Sequence, residues 1–210
     1  MAHSIQIEIE RKYDVDDDTA VPDPVGIGTI AIAERPETTT LLAVYFDTVD
    51  LDLARNRTAL RRREGGADAG WHLKIARLDA LGRTEHHWPL TDASVVPDEV
   101  RAEVRDIVSD KPLVPVARVE NTRSTTRLLD AAGYPVAELC DDHVHADDLR
   151  SRVARTWREW EVELLAAAPD GERERTELLD GVEGAVIRAG ARTSVSSSKL
   201  ARALGLDALA

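Results

Sequence analysis

The 210-residue chain holds one cysteine, Cys140, which excludes an internal disulfide framework and any Cys-rich zinc site. Aromatic side chains make up only 4% of residues, so platforms for stacking a nucleotide base are few. Lysine is scarce as well. Lys12, Lys74, Lys111 and Lys199 are the only four, and the other basic residues are arginine. Positive charge is in short supply: 27 Lys and Arg stand against 39 Asp and Glu, a formal net charge of −12. Such a field repels nucleic acid, so any anionic ligand has to be held by locally concentrated cations or through recruited metal ions. No apolar run approaches the roughly 20 residues of a membrane helix, and Met1 to Asp18 lack the apolar centre of a signal peptide. These absences point to a cytoplasmic domain with no nucleic-acid or membrane partner.

What is present suits a packed fold. Apolar residues are 43% and charged residues 31%, a balance that disfavours global disorder. Ile5 to Tyr13 alternate apolar and polar residues with the period of a strand. Further strand signals run over Thr40–Asp47, Ala59–Glu64, Trp71–Arg77, Thr84–Leu90, Val114–Leu129, Tyr134–His145 and Val153–Leu165. Ile27 to Ala33 is a short apolar segment. Helices are expected over Val49–Arg55 behind a Thr48 cap, from Pro97 to about Val108, over Gly171–Ala189, and over Lys199–Leu204 behind Ser196–Ser198. About eight strands with few helices between them fit a mainly β (α+β) fold, an antiparallel sheet closed as a barrel with peripheral helices. No repeat or linker divides the chain, which reads as a single domain over 1–210 with its core at about 4–204.

Several strands carry charges two residues apart, hence on one face: Glu8/Glu10/Lys12, Arg61/Arg63 and Glu159/Glu161/Glu163. Glu138 with Asp142, and Arg123 with Arg127, also share faces. For any one strand, a solvated outer face opposite an apolar core face is the simpler explanation. Compared with one another, the strands give pure acid rows and pure base rows, and like charges side by side repel. A barrel interior lined by both rows resolves this. Its acids would bind divalent cations through oxygen, and its arginine forks would grip a phosphate chain.

The stretch Glu8-Ile9-Glu10-Arg11-Lys12 resembles the ExExK signature of the CYTH domain, named for class IV adenylate cyclase and thiamine triphosphatase, among the triphosphate tunnel metalloenzymes. The resemblance continues through Tyr45-Phe46-Asp47-Thr48, Leu60-Arg61-Arg62-Arg63, Trp71-His72-Leu73-Lys74, Arg83-Thr84-Glu85 before Pro89-Leu90, and Thr122-Arg123. Ala137-Glu138 with Asp142, Glu159 to Leu164, and Ser198-Lys199 before Arg202-Ala203-Leu204 complete it, so it covers essentially the whole chain. It implies an eight-stranded antiparallel barrel whose tunnel binds a triphosphate and a divalent metal, Mg2+ or Mn2+. Glu8, Glu10, Glu85, Glu138, Asp142, Glu161 and Glu163 take the metal side by this likeness. Lys12, Arg61, Arg63, Lys74, Arg123 and Lys199 take the phosphate side. Glu8 is also a candidate to orient the attacking water, and Lys12 either contacts phosphate or helps activate that water. Lys111, before Pro112 in a connection, reads as a surface residue.

The implied activity is metal-dependent hydrolysis of a triphosphate phosphoanhydride, with inorganic triphosphate asking least of the sequence. ATP cyclisation and thiamine triphosphate hydrolysis need a platform for an organic group. Trp71 and Trp88 are the nearest aromatics, and barrel-wall packing accounts for them equally well. A non-catalytic module for polyphosphate or a nucleotide is the alternative of another class, and the full carboxylate set argues against it. There are departures. Asn121 stands where relatives often have a second base, and Arg127 either compensates or lies beyond the tunnel. Several relatives continue into a helical CHAD domain, so the chain is either a stand-alone protein or an excised domain. His86 and His87 point opposite ways on a strand, and His143 and His145 lack a third zinc ligand. The reading rests on convergence. Were Glu10, Arg61, Lys74 and Glu163 scattered over the exterior, it would fail.

Overall fold

In the computed structural model, which describes residues 3–77, 82–92 and 95–206, the alternating N-terminal stretch is interrupted at Ile9. Before it, β1 (Ser4–Glu8) pairs antiparallel with β7 (Arg83–Pro89). After it, β2 (Glu10–Val15) pairs with β10 (Val153–Leu164). One stretch of chain therefore joins the two ends of the sheet, which runs β1-β7-β6-β5-β4-β8-β9-β10-β2. The intervening strands are β4 (Glu37–Asp47), β5 (Thr58–Glu64), β6 (Gly70–Ala76), β8 (Val114–Leu129) and β9 (Pro135–Asp148). Counting the split strand once gives eight long antiparallel strands curled round a tunnel, as expected from the sequence. Two pieces of two residues each, β3 (Ile32–Ala33) on β8 and β11 (Arg192–Thr193) on β2, bring the hydrogen-bonded strands to eleven when β1 and β2 are counted separately. Neither short piece carries an alternating pattern of its own. β3 is all that Ile27–Ala33 contributes to the sheet.

The helices clothe the sheet. Asp47, buried, accepts the amide N–H groups of Leu53 and Ala54 at 2.9 Å and so closes the start of α1 (Asp52–Arg55). Thr48 Oγ1 accepts the Asp52 amide, so the expected cap is shared between two residues. The helix expected from Pro97 breaks at Val104 into α2 (Asp98–Glu103) and α3 (Arg105–Val108). With α1 they cover Leu60, Trp71, Leu73 and Trp88, which lie on the outer side of β5–β7. Both tryptophans are therefore wall packing. α4 (Glu172–Arg188) lays Leu178, Leu179, Val182 and Val186 on Tyr13, Trp160 and Val162. Burying each such side chain contributes about 1.5–3 kcal/mol.

The apolar faces of most strands thus look outward under helices while the charged faces look in. The first strand is the exception: Ile5 and Ile7 are 60% and 57% exposed. A third apolar cluster shares the lining face at one end. There α5 (Lys199–Leu204), capped by Ser198 Oγ accepting the Ala201 amide, sets Leu200 and Leu204 among Val119, Val144 and Trp157. At the turn before β7, Gly82 has a φ of 91°, and a side chain there would collide with the Glu8 carbonyl. That glycine lets the backbone entering β7 lie against Glu8, the first acid of the N-terminal motif.

Candidate functional site

The strand registers set the charged rows opposite one another. Glu10 pairs with Glu163, which pairs with Glu138, and Glu138 pairs with Arg127. One step along, Lys12 pairs with Glu161, and one further, Glu159 pairs with Asp142 and Asp142 with Arg123. On the other wall Arg61 pairs with His72, Lys74 with Glu85, and Glu85 with Gln6. These faces enclose a cavity of about 360 Å³. Of the residues singled out from the sequence, Glu8, Glu10, Lys12, Arg61, Arg63, Lys74, Arg123, Glu138, Glu161, Glu163 and Lys199 line it. Glu10, Arg61, Lys74 and Glu163 therefore converge. Glu85 and Asp142 stand behind the lining, 3% and 0% exposed.

Two carboxylate populations occupy this interior. The first is held by cations. Arg123 donates to both oxygens of Asp142, at 2.7 and 2.6 Å, and also to Glu161. Lys199 Nζ lies 2.8 Å from Asp142, 2.5 Å from Glu159 and 2.7 Å from Glu161, and Lys12 reaches Glu161 as well. Burial opposes ionisation of Glu161, but Lys12, Lys199 and Arg123 outweigh it and hold the carboxyl well below its usual range. Asp142, against the same burial, is drawn down to about 2 by Lys199 and Arg123. The oxygens of Asp142, Glu159 and Glu161 lie within 4.8 Å of one another, close enough to hold a cation, and the Lys199 ammonium already sits among them. Glu85 accepts Gln6 Nε2 at 3.0 Å and contacts His72 at 2.9 Å, with Lys74 at 3.7 Å and Arg61 at 3.9 Å.

The second population is crowded with its own sign. Burial first, then the negative charges of Glu8, Glu10 and Glu138, push Glu163 up to about 8. Burial likewise raises Glu8 to about 7, although Lys74 Nζ is 2.5 Å away, with Glu85 adding to the rise. Burial opposes ionisation of Glu10, but Lys12 at 3.2 Å, with Lys74 and Arg83, draws it down. Carboxylate oxygens crowded together without enough compensating charge are the donor chemistry a hard divalent ion takes.

Facing these acids is a surplus of guanidinium. Burial, then Arg61 and Arg123, depress Arg63, whose partner is Asp68. The Nε atoms of Arg61 and Arg63 are both buried without a hydrogen-bond partner. Unmade donors of this kind are costly unless something accepts from them. Arg127 also lines the cavity, and so does Asn121, 4% exposed, whose Oδ1 has no partner.

Some residues of the site carry no signal strong enough to single them out in the sequence. Tyr45, buried at the cavity wall, has its phenol pKa lowered by Arg61 against the effect of burial. Glu159 belongs to the glutamate row, and only the fold shows that it grips Lys199. Cys140 faces Thr125 and Glu138 at 3.6 Å, and burial pushes its thiol far up, so no thiolate is available. His143 and His145 are exposed beside Asp141 and Asp147. Among the described residues, no helix is long and apolar enough to cross a membrane.

Comparison with known proteins places this geometry in context. The family model of the CYTH domain matches residues 6–183. The uncharacterized proteins Rv2226 and MT2285 of two Mycobacterium tuberculosis strains are each 43% identical to this chain over 211 residues, which is 95% of this chain and 40% of theirs. The chain thus spans about 40% of the length of these curated relatives. Among solved structures, a candidate adenylate cyclase from Bacillus halodurans superposes with a TM-score of 0.61 at 22% identity, covering 94% of this chain and 97% of its own. HpAC1 from Hippeastrum, a candidate adenylyl cyclase with a dominant triphosphatase activity, superposes at 0.54 and 21% identity over 95% of both chains.

Proposed function

The chain belongs to the CYTH domain family, and from that premise we propose that it is a metal-dependent hydrolase of triphosphate phosphoanhydride bonds, acting on inorganic triphosphate. One observation carries the reading. A single cavity contains buried guanidinium Nε donors with no acceptor among the described residues, and carboxyls raised first by burial and then by neighbouring acids. A bound metal–polyanion pair satisfies both at once, and neither an anion nor a cation alone does.

We assign Arg61, Arg63 and Arg123 with Lys12, Lys74 and Lys199 to the phosphates, where charge-assisted hydrogen bonds hold the chain in line and stabilise charge on the transferred phosphoryl. Glu8, Glu10, Glu138 and Glu163 would hold Mg2+ or Mn2+, which when bound neutralises phosphate oxygens and polarises the scissile bond. Glu161, Glu85 and Asp142 carry their charge against cations, and we assign them to aiming those cations. Glu8, raised to about 7, is suited to orient water and accept its proton near neutral pH. Tyr45, against Arg61, helps fix that guanidinium.

The test is phosphate release from inorganic triphosphate, ATP and thiamine triphosphate, each with and without Mg2+ or Mn2+. Release from triphosphate that a chelator abolishes is expected. Tight triphosphate binding without release would leave a binding module, and cyclic AMP formed from ATP would make the chain a cyclase.

A further inference from the structure

We propose that His72 is the positioning residue for both arginines of β5, an inference that rests on the triphosphate reading above. His72 is 1% exposed and does not line the cavity. It lies between the two acids that face Arg61 and Arg63. Its Nε2 is 2.9 Å from the Asp68 carbonyl, and its Nδ1 is 2.9 Å from Glu85 Oε1. A carbonyl can only accept, so Nε2 carries a hydrogen. Burial keeps the ring neutral, so Nδ1 then meets Glu85 as a close polar contact and not as a second donor. The ring is in this way tied through Nε2 and packed against Glu85, and it cannot rotate without losing a buried hydrogen bond.

Each contact leads to one arginine. Asp68 sits in the β5–β6 hairpin after Gly65 and Gly66, both at positive φ (81° and 77°). The His72 bond to its carbonyl is a fixed point, and the Asp68 carboxylate pairs with Arg63. On the other side, Glu85 faces Arg61 at 3.9 Å and Lys74 at 3.7 Å. Arg61, opposite His72 in the strand register, has its Nε buried and unmade, as has Arg63. Long side chains that line a cavity with unmade donors need support behind them, and His72 touches both acids that face these arginines. Supporting contacts of this kind typically change affinity by about 10–100-fold when lost.

The experiment compares wild type with His72→Leu and His72→Gln in three measurements: steady-state hydrolysis of inorganic triphosphate, Mn2+ affinity without triphosphate, and thermal melting. His72→Leu is expected to raise KM about tenfold or more, with kcat and Mn2+ affinity within about threefold of wild type. His72→Gln, which keeps a donor, should recover part of that loss. An unchanged KM in either folded variant overturns the proposal. So does a joint fall of kcat, KM and Mn2+ affinity, or melting of both variants below the assay temperature, since each marks a residue serving the fold as a whole. Wild-type protein that neither binds nor cleaves triphosphate would instead sink the functional reading.

Discussion

Glu161 and Glu163 stand two residues apart on β10 and line the same cavity, yet burial acts on them with opposite results. Around Glu161 the cations Lys12, Lys199 and Arg123 outweigh desolvation and keep the carboxylate charged. Around Glu163 the neighbours are Glu8, Glu10 and Glu138, and its pKa climbs to about 8. One end of the tunnel is thus internally neutralised in the protein alone, while the other awaits a counter-charge. Acidic residues count equally in a composition. What separates them is which strand the register sets opposite: Lys12 is across from Glu161, and Glu10 is across from Glu163.

Removing a cation from the neutralised end should have the largest effect. Arg123→Met leaves Asp142 and Glu161 buried with one partner fewer, a loss of about 3–5 kcal/mol for a broken buried pair. At about 2–4 °C per kcal/mol for a domain of this size, the melting temperature should fall by roughly 10 °C. Calorimetry reads this directly, and a variant melting with wild type would show that Lys199 suffices for both acids.

Glu163→Gln probes the other end, and there the two effects part. Metal-dependent phosphate release should fall by about 100-fold, as expected when a supporting charge at the reacting centre is lost. The metal-free protein should become more stable at neutral pH, because the fold no longer has to hold a proton that the unfolded chain has released. The pH dependence follows from the same shift. Glu163 is raised from 4.5 to about 8 in the folded state, so the fold holds its proton after the unfolded chain has lost it. Stability of the metal-free protein should therefore decline from about pH 4.5 towards 8. Asp142, drawn from 3.8 to about 2, works in reverse and loses its contribution as pH falls through that lower window. Added Mn2+ should flatten the neutral-pH decline, by about 2.7 kcal/mol at a hundredfold excess over its Kd. A melting curve flat from pH 5 to 8 without metal would break the contrast.

A smaller effect is expected where α5 carries Lys199 into the neutralised end. Ser198→Ala removes the bond to the Ala201 amide, worth about 1 kcal/mol for such a cap. Melting should drop by about 2–4 °C, and an unchanged value would mean that packing of Leu200 and Leu204 seats the helix unaided.

Much of this arrangement was legible in the residues because strand periodicity puts charges on a face whatever that face touches. β8 over Val114–Leu129 and α5 over Lys199–Leu204 lie where the alternation and the serine cap place them. The Ile9 interruption was not legible, since a switch of pairing partner from β7 to β10 leaves the alternation of Glu8 and Glu10 intact. Nor was the exposure of Ile5 and Ile7, whose pattern matches any half-buried strand. Within the site, residue type suggested which groups meet metal or phosphate. The pairing of Glu161 with cations and of Glu163 with acids is a property of register, and a lone histidine such as His72 gives no sign that it bridges Asp68 and Glu85.

Lysine sharpens the comparison from outside the tunnel. Lys111 makes two close ion pairs, to Asp50 at 3.0 Å and Asp52 at 2.7 Å, distances like those of Lys199 to Asp142 and Glu161. Its side chain, however, is 49% exposed against 8% for Lys199. In water each of its attractions is screened, and holding three flexible groups together costs side-chain entropy. Lys111→Ala should therefore leave the melting temperature and triphosphate hydrolysis unchanged within measurement error, at low salt as at high. A clear loss of stability on that substitution would mean that proximity alone governs ion pairs in this protein. Burial would then not separate its strong ion pairs from its weak ones.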